Sequence, residues 1–245
     1  MNFADIHNHI LFGVDDGARS EADMYALIDA SYADGVRHLC FTPHYHTGYF
    51  GEHQTQIDAA FALAQSYCAE RYPDLRLYLG NELRYERSCI DWVEKSKCRT
   101  LNNTQYLLVD FLYHEPADHI MQAMIHILNN GYTPVLAHVE RYEDLRMNMH
   151  EVEQLRSWGV IIQIDAQSVL GGLGHGAKRR SRRILKMQMA DLIASDAHDL
   201  NQRPPLLREC CDLIEQRYGK TYAKSLLLET PLRILRGESI NEQEG

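Results

Sequence analysis

The sequence lacks three features that would place the chain in a specialised class of protein. No apolar run is long enough to span a membrane, and the N-terminus has neither the basic nor the apolar segment of a secretory signal peptide. Positive charge is scarce, since 25 Lys and Arg residues oppose 34 Asp and Glu residues and the net charge is −9. Bulk attraction to nucleic acid or to an anionic membrane is therefore not expected. We expect a cytoplasmic globular protein with neither membrane insertion nor nucleic-acid binding.

Paired cysteines are also missing. The 6 cysteines include no CxxC pair, and 245 residues are too many for a small disulfide scaffold, so we expect free thiols. Cys211 and Arg217 have the C-x5-R spacing of thiol-based phosphatases. However, CDLIEQR has the pattern of an amphipathic helix and no glycine for a phosphate-cradling loop. A cysteine nucleophile is therefore rejected. Histidine, in contrast, is abundant, with 13 residues.

Short β-rich runs alternate with longer helical patterns along the chain. The predicted strands cover 3–10, 36–45, 75–83, 105–113, 133–140, 160–167 and 190–198. The predicted helices cover 21–33, 52–71, 86–97, 117–130, 148–158, 178–189, 203–218 and about 220–228. Ser20 caps the first helix and Gly35 ends it. This alternation indicates parallel βα units and predicts an α/β fold, a closed or nearly closed barrel in a single domain over 1–245. A doubly wound open sheet is the alternative.

Potential metal ligands stand at the ends of six predicted strands. In chain order they are His7 and His9, His44, Glu82, Asp110, His138, and Asp196 with His198. The carboxyl ends of parallel barrel strands meet at one mouth, so these side chains are expected to lie together. His7 and His9 are alternate residues and would share a strand face. Asp5 lies deeper on that face and is predicted to orient an imidazole.

A metal cluster explains this set better than separate structural roles do. Buried carboxylates and imidazoles are costly unless a cation neutralises them. The donors are nitrogen and oxygen without sulfur, which suits manganese, iron or zinc. The ligands are too many for one ion, so two or three ions are implied. A lone HxH is a weak motif, and His138 or Glu82 alone fits an ordinary core role; the joint occurrence carries the prediction.

The segments DIHNHILFGVDDG, TPHY, GNE, HVERY and ASDAHDLNQRPP resemble the polymerase-and-histidinol-phosphatase (PHP) superfamily, from Phe3 to about Gly237. They are most similar to its metal-dependent protein-tyrosine phosphatases from bacterial capsule and exopolysaccharide loci. The resemblance implies a distorted seven-stranded (β/α) barrel of TIM type. It also implies three divalent metal ions, with Mn²⁺ preferred over Fe, Zn or Mg.

The resemblance also distributes the ligands among three ions. The first ion takes His7, His9, Glu82 and Asp196; the second shares Glu82 and takes Asp110 and His138; the third takes His44, His198 and an aspartate of VDDG, with Asp16 preferred over Asp15. Two positions depart from the family pattern. Asp110 stands where the family often has glutamate, and VDDG stands where many relatives have histidine.

The implied activity is hydrolysis of phosphotyrosine in proteins without a phosphoenzyme. The implied partner is the tyrosine-rich tail of an autophosphorylating bacterial kinase that controls polysaccharide export. Arg141 and Arg203 follow metal-bearing strand ends and are predicted to bind the phosphate, because a guanidinium fork matches its oxygens. His198 or Asp16 is predicted to donate the proton to the leaving phenol. The oligomeric state stays open.

Three other functions stay open. They are a PHP phosphoesterase for histidinol phosphate or a small sugar phosphate, a metallo-amidohydrolase, and a non-catalytic metal-binding domain. The amidohydrolase is disfavoured because Glu82 and Asp110 stand where a bridging lysine is usual.

Three further segments have features that could suggest a function but are explained more simply by structure. KRRSRR (178–183) is predicted to be the solvated start of a helix, and GGLGHG (171–176) a flexible loop. Tyr45, Tyr49 and Phe50 are predicted either to pack their loop or to form an aromatic slot for the tyrosine ring.

Overall fold

The computed structural model describes residues 1–50, 53–145 and 149–240. These residues form strands β1 Phe3–Asp5, β2 Val36–Phe41, β3 His44–Tyr45, β4 Arg76–Leu79, β5 Glu82–Arg84, β6 Tyr106–Asp110, β7 Thr133–Leu136, β8 Ile161–Asp165 and β9 Leu192–Ala194. The helices are α1 Glu21–Asp34, α2 Gln54–Arg71, α3 Cys89–Glu94, α4 Ala117–Asn129, α5 Met149–Ser157, α6 Ala166–Leu170, α7 Gly174–Lys186, α8 Leu207–Tyr218, α9 Lys220–Lys224 and α10 Thr230–Arg236. Leu101–Asn103 and Val139–Arg141 are 3-10 turns, and Ser225–Glu229 is π-helical.

The strands form two parallel sheets, in the orders β1-β2-β4 and β3-β5-β6-β7-β8-β9. Each predicted β-rich run contains a strand, but 36–45 and 75–83 are both interrupted. Pro43 lies in the first break and lacks the N–H that a ladder needs. The Gly80 N–H in the second break donates to the Phe41 carbonyl at 2.8 Å. The predicted α/β fold is confirmed, and its parallel sheets are curled. The two breaks divide the strands between two sheets, so the strands do not form one regular seven-stranded barrel.

Backbone hydrogen bonds join the first and last β segments just beyond their regular strands. Asn8 and Ala197 form an isolated parallel bridge. The Asp196 N–H donates to the His7 carbonyl at 2.9 Å, and the His9 N–H donates to the Ala197 carbonyl at 2.8 Å. The HxH and DxH segments, nearly 190 residues apart in sequence, therefore lie side by side.

Alternation along the strands separates two apolar regions. Leu107 and Val109 on β6 belong to the large core between sheet and helices, whereas Leu108 on the same strand belongs to a smaller cluster. That smaller cluster includes Val135 on β7 and receives Ile234 from α10. The interior of the curled sheet is thus apolar, and its carboxyl-terminal end is left for polar side chains.

The helix predictions are confirmed at most positions. α1 begins after Ser20, whose side chain accepts from the Asp23 N–H, and ends at Gly35. The predicted helix starts at 52 and 148 lie outside the described residues. Cys211 and Arg217 both lie within α8, as expected for a helix rather than a phosphate loop. None of the described helices has the length and apolar composition needed to cross a membrane.

The interpretation of GGLGHG as a loop is wrong in its second half, because α7 already starts at Gly174. α6 ends at Gly171, which has φ 105, a value that glycine adopts without strain. The Lys178 ammonium donates to the Leu170 carbonyl at 2.6 Å and closes the turn between the two helices. The segment is a tight turn, and the KRRSRR stretch lies inside α7 rather than at its start.

Candidate metal centre

All nine predicted ligands meet at the carboxyl ends of the strands. Ligand atoms within 4.8 Å of one another define four groups: His9, Asp16, His44 and His198; His7, His9 and Glu82; His7, His138 and Asp196; and His44, Glu82 and Asp110. The groups share members, so they form one continuous cluster. Eight of the side chains are buried or largely buried, whereas the Asp16 side chain is 56% exposed.

Each histidine of the HxH pair has one ring nitrogen occupied by a neighbouring oxygen. His7 Nδ1 donates to Gln163 Oε1 at 2.9 Å, and His9 Nδ1 donates to Asp15 Oδ2 at 2.7 Å. Both Nε2 atoms therefore turn toward Glu82, at 3.1 Å and 3.3 Å. Fixing the tautomer through the distant nitrogen is how proteins prepare imidazoles for metals.

The prediction that Asp5 orients an imidazole is wrong. Asp5 Oδ2 accepts from the Ser195 hydroxyl at 2.6 Å, and Oδ1 accepts from the Ser195 N–H at 3.0 Å. Burial raises the pKa of Asp5 to about 6, although these bonds from Ser195 oppose the rise. Asp5 thus ties the first strand to the segment that precedes Asp196, while Gln163 and Asp15 orient the rings.

Gln163 was missed by sequence reasoning and connects several parts of the centre. Its Oε1 also accepts from the His138 N–H at 3.1 Å, and its Nε2 donates to Asp165 Oδ1 at 2.9 Å. Asp165 therefore sets the amide so that oxygen, not nitrogen, faces His7. Gln163 and Asp165 alternate on β8 and are fully buried. Polar residues at alternate positions of an otherwise apolar run, VIIQID, were the available signal.

Asp15 and Asp16 point in different directions although they are neighbours. Asp15 Oδ2 is occupied by His9 and by the His44 N–H. Asp16 Oδ1 lies 3.4 Å from His44 Nε2 and 3.5 Å from His198 Nε2. A Cβ on the following Gly17 would come within 1.9 Å of the His9 carbonyl oxygen. This close approach requires glycine and brings VDDG against the HxH segment.

Arg84 is a second residue that sequence reasoning missed. It lies two positions after Glu82 on β5, and its Nε donates to Asp110 Oδ2 at 2.7 Å. The other oxygen, Oδ1, accepts from the Tyr142 hydroxyl at 3.3 Å and lies 3.6 Å from His138 Nε2. Asp110 is thus held from two sides with Oδ1 facing His138. The alternation in NELR could have identified Arg84.

The donor chemistry fits divalent cations. Oε2 of Glu82 is buried and accepts no hydrogen bond, although imidazole nitrogens lie 2.8 Å and 3.3 Å away. Burial would raise the pKa of Glu82, but His7 and His44 hold it well below its ordinary value. Burial would lower the pKa of His44 and His138, but nearby carboxylates, Glu82 foremost, raise them to about 9 and about 10. These protons occupy the place of positive charge that metal ions would supply.

Two predicted ligands have a backbone conformation that is unusual for their residue type. His138 has φ 35 and Asp196 has φ 51, both in the left-handed region. Such residues cost on the order of 1 kcal/mol or more and concentrate at functional sites. At both positions the chain turns sharply after a strand end and directs the side chain into the cluster.

Two predicted arginines border the cluster. Arg141 Nη1 donates to Asp196 Oδ2 at 3.0 Å and lies 3.4 Å from Asp165 Oδ2, and Arg203 also donates to Asp196. Arg203 Nη1 lies 2.8 Å from His198 Nε2. A cavity of about 140 Å³, hereafter the mouth, is lined by these arginines, Arg84, Tyr113 and seven of the predicted ligands. Cationic side chains thus surround an opening onto the ligands.

Of the aromatic residues after His44, Tyr45 packs within the fold, whereas an aromatic slot for the tyrosine ring stays a prediction. Tyr45 is buried and packs against Trp92 with ring centroids 5.3 Å apart. Phe50 stacks on the His44 ring at 5.6 Å, whereas Tyr49 is 74% exposed. All six cysteines are buried and unpaired, as expected for free thiols.

Curled parallel sheets that bring histidines and carboxylates together at their carboxyl ends are typical of metal-dependent hydrolases. The chain belongs to the capsular polysaccharide synthesis family CpsB/CapC, whose model matches residues 3–236. It is 34% identical over 241 residues to the tyrosine-protein phosphatase CpsB of Streptococcus pneumoniae, covering 96% of this chain and 99% of that protein. It is 30% identical over 240 residues to the tyrosine-protein phosphatase YwqE of Bacillus subtilis, covering 98% and 94%.

Solved structures agree with this assignment. A structure described as that of YwqE from Bacillus subtilis and CpsB from Streptococcus pneumoniae, "unique metal-dependent tyrosine phosphatases", superimposes with a TM-score of 0.89. It is 30% identical and covers 98% of this chain and 97% of that chain. A variant organophosphorus hydrolase from Deinococcus radiodurans has a TM-score of 0.63 at 12% identity, covering 95% and 92%, and shows the fold alone.

Proposed function

We propose that this chain is a metal-dependent phosphatase that hydrolyses phosphotyrosine in proteins. The observation that carries the proposal is the convergence of nine nitrogen and oxygen ligands beneath a mouth lined by arginines. The names of relatives that match almost the full chain support the same activity. The expected substrate is an autophosphorylated bacterial tyrosine kinase that regulates polysaccharide export.

Three divalent ions, preferably Mn²⁺, are proposed with the ligand sets predicted from the resemblance. The overlap among the four ligand groups supports more than one ion, because Glu82 belongs to two of them. Asp16 is preferred for the third ion because Asp15 is occupied by His9 and the His44 backbone. When bound, the ions would polarise the phosphoryl group and increase the acidity of water.

The side chains of this chain would bind and orient the substrate. Arg141 and Arg203 are proposed to hold phosphate oxygens, because each presents a guanidinium at the mouth. Asp165 and Asp196 would keep Arg141 in place. His198 Nδ1 donates to the Asp196 carbonyl at 2.9 Å, so Nε2 carries a lone pair. In this structure that lone pair accepts from Arg203 Nη1 at 2.8 Å, and a bound metal would take the place of this contact. Proton donation by His198 or Asp16 stays a prediction.

We also propose that the two sheets together are a distorted seven-segment barrel within a single domain covering residues 1–245. The hydrogen bonds between the HxH and DxH segments support closure. The unpaired cysteines support a cytoplasmic location.

A chelation experiment tests the proposed activity. Hydrolysis of a phosphotyrosyl peptide is measured after chelator treatment, after Mn²⁺ addition, and for His7→Ala. His38→Ala is the matched control, since His38 pairs with Tyr78 outside the ligand cluster. We expect activity that depends on Mn²⁺, is lost in His7→Ala and persists in the control. Activity that survives both chelation and His7→Ala would refute the proposal.

A small-substrate phosphatase is the remaining alternative. Relative turnover of histidinol phosphate and a phosphotyrosyl peptide separates the two functions. Much faster turnover of histidinol phosphate would overturn the choice of a protein substrate.

A further inference from the structure

Half of the large exposed apolar side chains lie on loops that follow the carboxyl ends of strands, the end of the fold that holds the mouth. Eight large hydrophobic residues are exposed among the described residues, and four of them follow the carboxyl ends of strands. These four, hereafter the apolar rim, are Tyr49, Leu112, Tyr113 and Leu200, with exposed fractions of 74%, 61%, 47% and 47%. Large apolar side chains grouped at one end of a protein mark interaction sites more often than scattered ones do.

Contacts and position in the chain relate three residues of the apolar rim to the proposed active site. Tyr113 lines the mouth, and the Arg141 guanidinium lies over its ring, 4.6 Å from the centroid. Leu112 is its neighbour in the chain. Tyr49 stacks on His46 at 4.9 Å, two residues after His44. Tyr113 therefore borders the mouth itself, whereas Tyr49 and Leu112 lie near it in the chain, on the loops after β3 and β6.

Leu200 borders the mouth on another side. It lines a cleft of about 400 Å³ that shares Asp16 and His198 with the mouth. A second cleft, of about 670 Å³, is lined by Tyr49, Tyr45 and Trp92. The first cleft thus opens directly from the ligand cluster, and the second includes Tyr45, the residue that follows His44 in the chain.

The dimensions of the mouth require most substrate contacts to lie outside it. Its volume is about 140 Å³, below the roughly 300–1,000 Å³ of sites that enclose a small-molecule ligand. A phosphate with part of its aromatic ring can enter, but the residues on either side of a phosphotyrosine must lie on the rim. An extended polypeptide suits this arrangement because its successive side chains could occupy the neighbouring clefts.

The charge of the chain also favours apolar docking. With a net charge of −9 the protein does not attract a phosphorylated, acidic partner over long distance. The arginines that line the mouth are bonded to its own carboxylates. Affinity for the residues beyond the phosphotyrosine must then come largely from burial of apolar surface.

We propose that the apolar rim is the docking surface for an extended polypeptide segment whose phosphotyrosine enters the mouth. The inference rests on the proposed function and deepens it, because it assigns recognition of the polypeptide to residues outside the ligand cluster. Leu112 and Leu200 provide apolar contact and take no part in binding the phosphate.

A matched pair of double variants tests the rim. Leu112→Ser/Leu200→Ser is compared with Leu63→Ser/Ile125→Ser, which removes side chains that are 39% and 40% exposed on α2 and α4. KM and kcat are measured for a phosphotyrosyl decapeptide and for phenyl phosphate, together with Mn²⁺ content and Tm. We expect the rim variant to raise KM for the peptide about tenfold, which corresponds to about 1.4 kcal/mol for the two truncated side chains together. Phenyl phosphate kinetics and metal content should stay within about twofold, and the control should behave as wild type.

The outcomes distinguish failure of the inference from failure of the proposed function. An unchanged peptide KM in the rim variant, or an equal loss with both substrates, would overturn the docking surface. Absence of phosphatase activity in the wild-type protein would instead contradict the proposed function. Fluorescence anisotropy of the labelled decapeptide then tests the rim directly, and equal affinity for wild type and rim variant would refute it.

Discussion

Replacing Gln163 by methionine should weaken metal binding without opening a cavity. Gln163 is fully buried, and methionine has nearly the same length, so the main change is the loss of polar contacts. The His7 ring loses the acceptor on Nδ1, 2.9 Å away, and is no longer held with Nε2 toward Glu82. Residues that orient a ligand from behind typically contribute 10- to 100-fold in metal affinity, about 1.4–2.7 kcal/mol.

The same change should also cost folding stability. The His138 N–H loses its acceptor at 3.1 Å, and Asp165 Oδ1 loses its donor at 2.9 Å. Each buried polar group left without a partner costs about 1–3 kcal/mol, so these two and the His7 Nδ1–H together cost about 3–9 kcal/mol. For a chain of this size the Tm should fall by at least about 6 °C.

Titration calorimetry with Mn²⁺ at constant pH measures the affinity, and thermal unfolding of the metal-free protein measures the stability. Gln105→Met is the matched control, because Gln105 donates to the Gly237 carbonyl at 3.2 Å, away from the ligands. We expect the control to bind Mn²⁺ as wild type does. If Gln163→Met also binds Mn²⁺ with wild-type affinity and stoichiometry while its Tm falls, the orienting role of Gln163 is refuted.

Two further predictions concern the same centre. Arg84→Ala should lower the Mn²⁺ stoichiometry or weaken one site about tenfold, because Asp110 is no longer held. The control is Arg156→Ala, which breaks a similar ion pair with Asp191 outside the ligand cluster. Equal metal content in both variants would contradict a role of Arg84 in metal binding. Mn²⁺ affinity should rise between about pH 6 and about pH 9 with release of protons, because the pKa values of His44 and His138 are raised from 6.5 to about 9 and about 10 without metal. The same protons stabilise the metal-free fold fully below about pH 6.5, and that stabilisation is lost as the pH rises through about 9 and 10. Calorimetry in two buffers of different ionisation enthalpy detects the protons, and a pH-independent affinity would disprove the linkage.

Much of the centre was predictable because its ligands follow strand ends. Parallel strands bring their carboxyl ends to one edge, so His7 and Asp196 could be associated from position alone. Gln163 and Arg84 were not found because glutamine and arginine have many ordinary roles in a β-rich run. Only the atoms that they contact distinguish a ring-orienting amide from a solvated one.

For Asp5, in contrast, the sequence suggested a role in the metal centre that the structure does not show. Its position two residues before His7 suggested contact with an imidazole, since alternate residues share a face. Its carboxylate instead bonds to Ser195 across the first and last segments. Sequence spacing predicts which face a side chain occupies, but it does not predict which neighbour lies opposite.

The sequence by itself determined the α/β class, the βα order, the residue types of the ligands and the limits of α1, because periodicity, caps and polar strand ends are local patterns. Tertiary structure alone decided how the nine strands of the described residues divide between two sheets, and the separate directions of Asp15 and Asp16. It also decided that Gln163 faces His7 from 156 residues away. These features depend on close approach between distant segments, and a packing contact of this kind has no period or spacing in the chain.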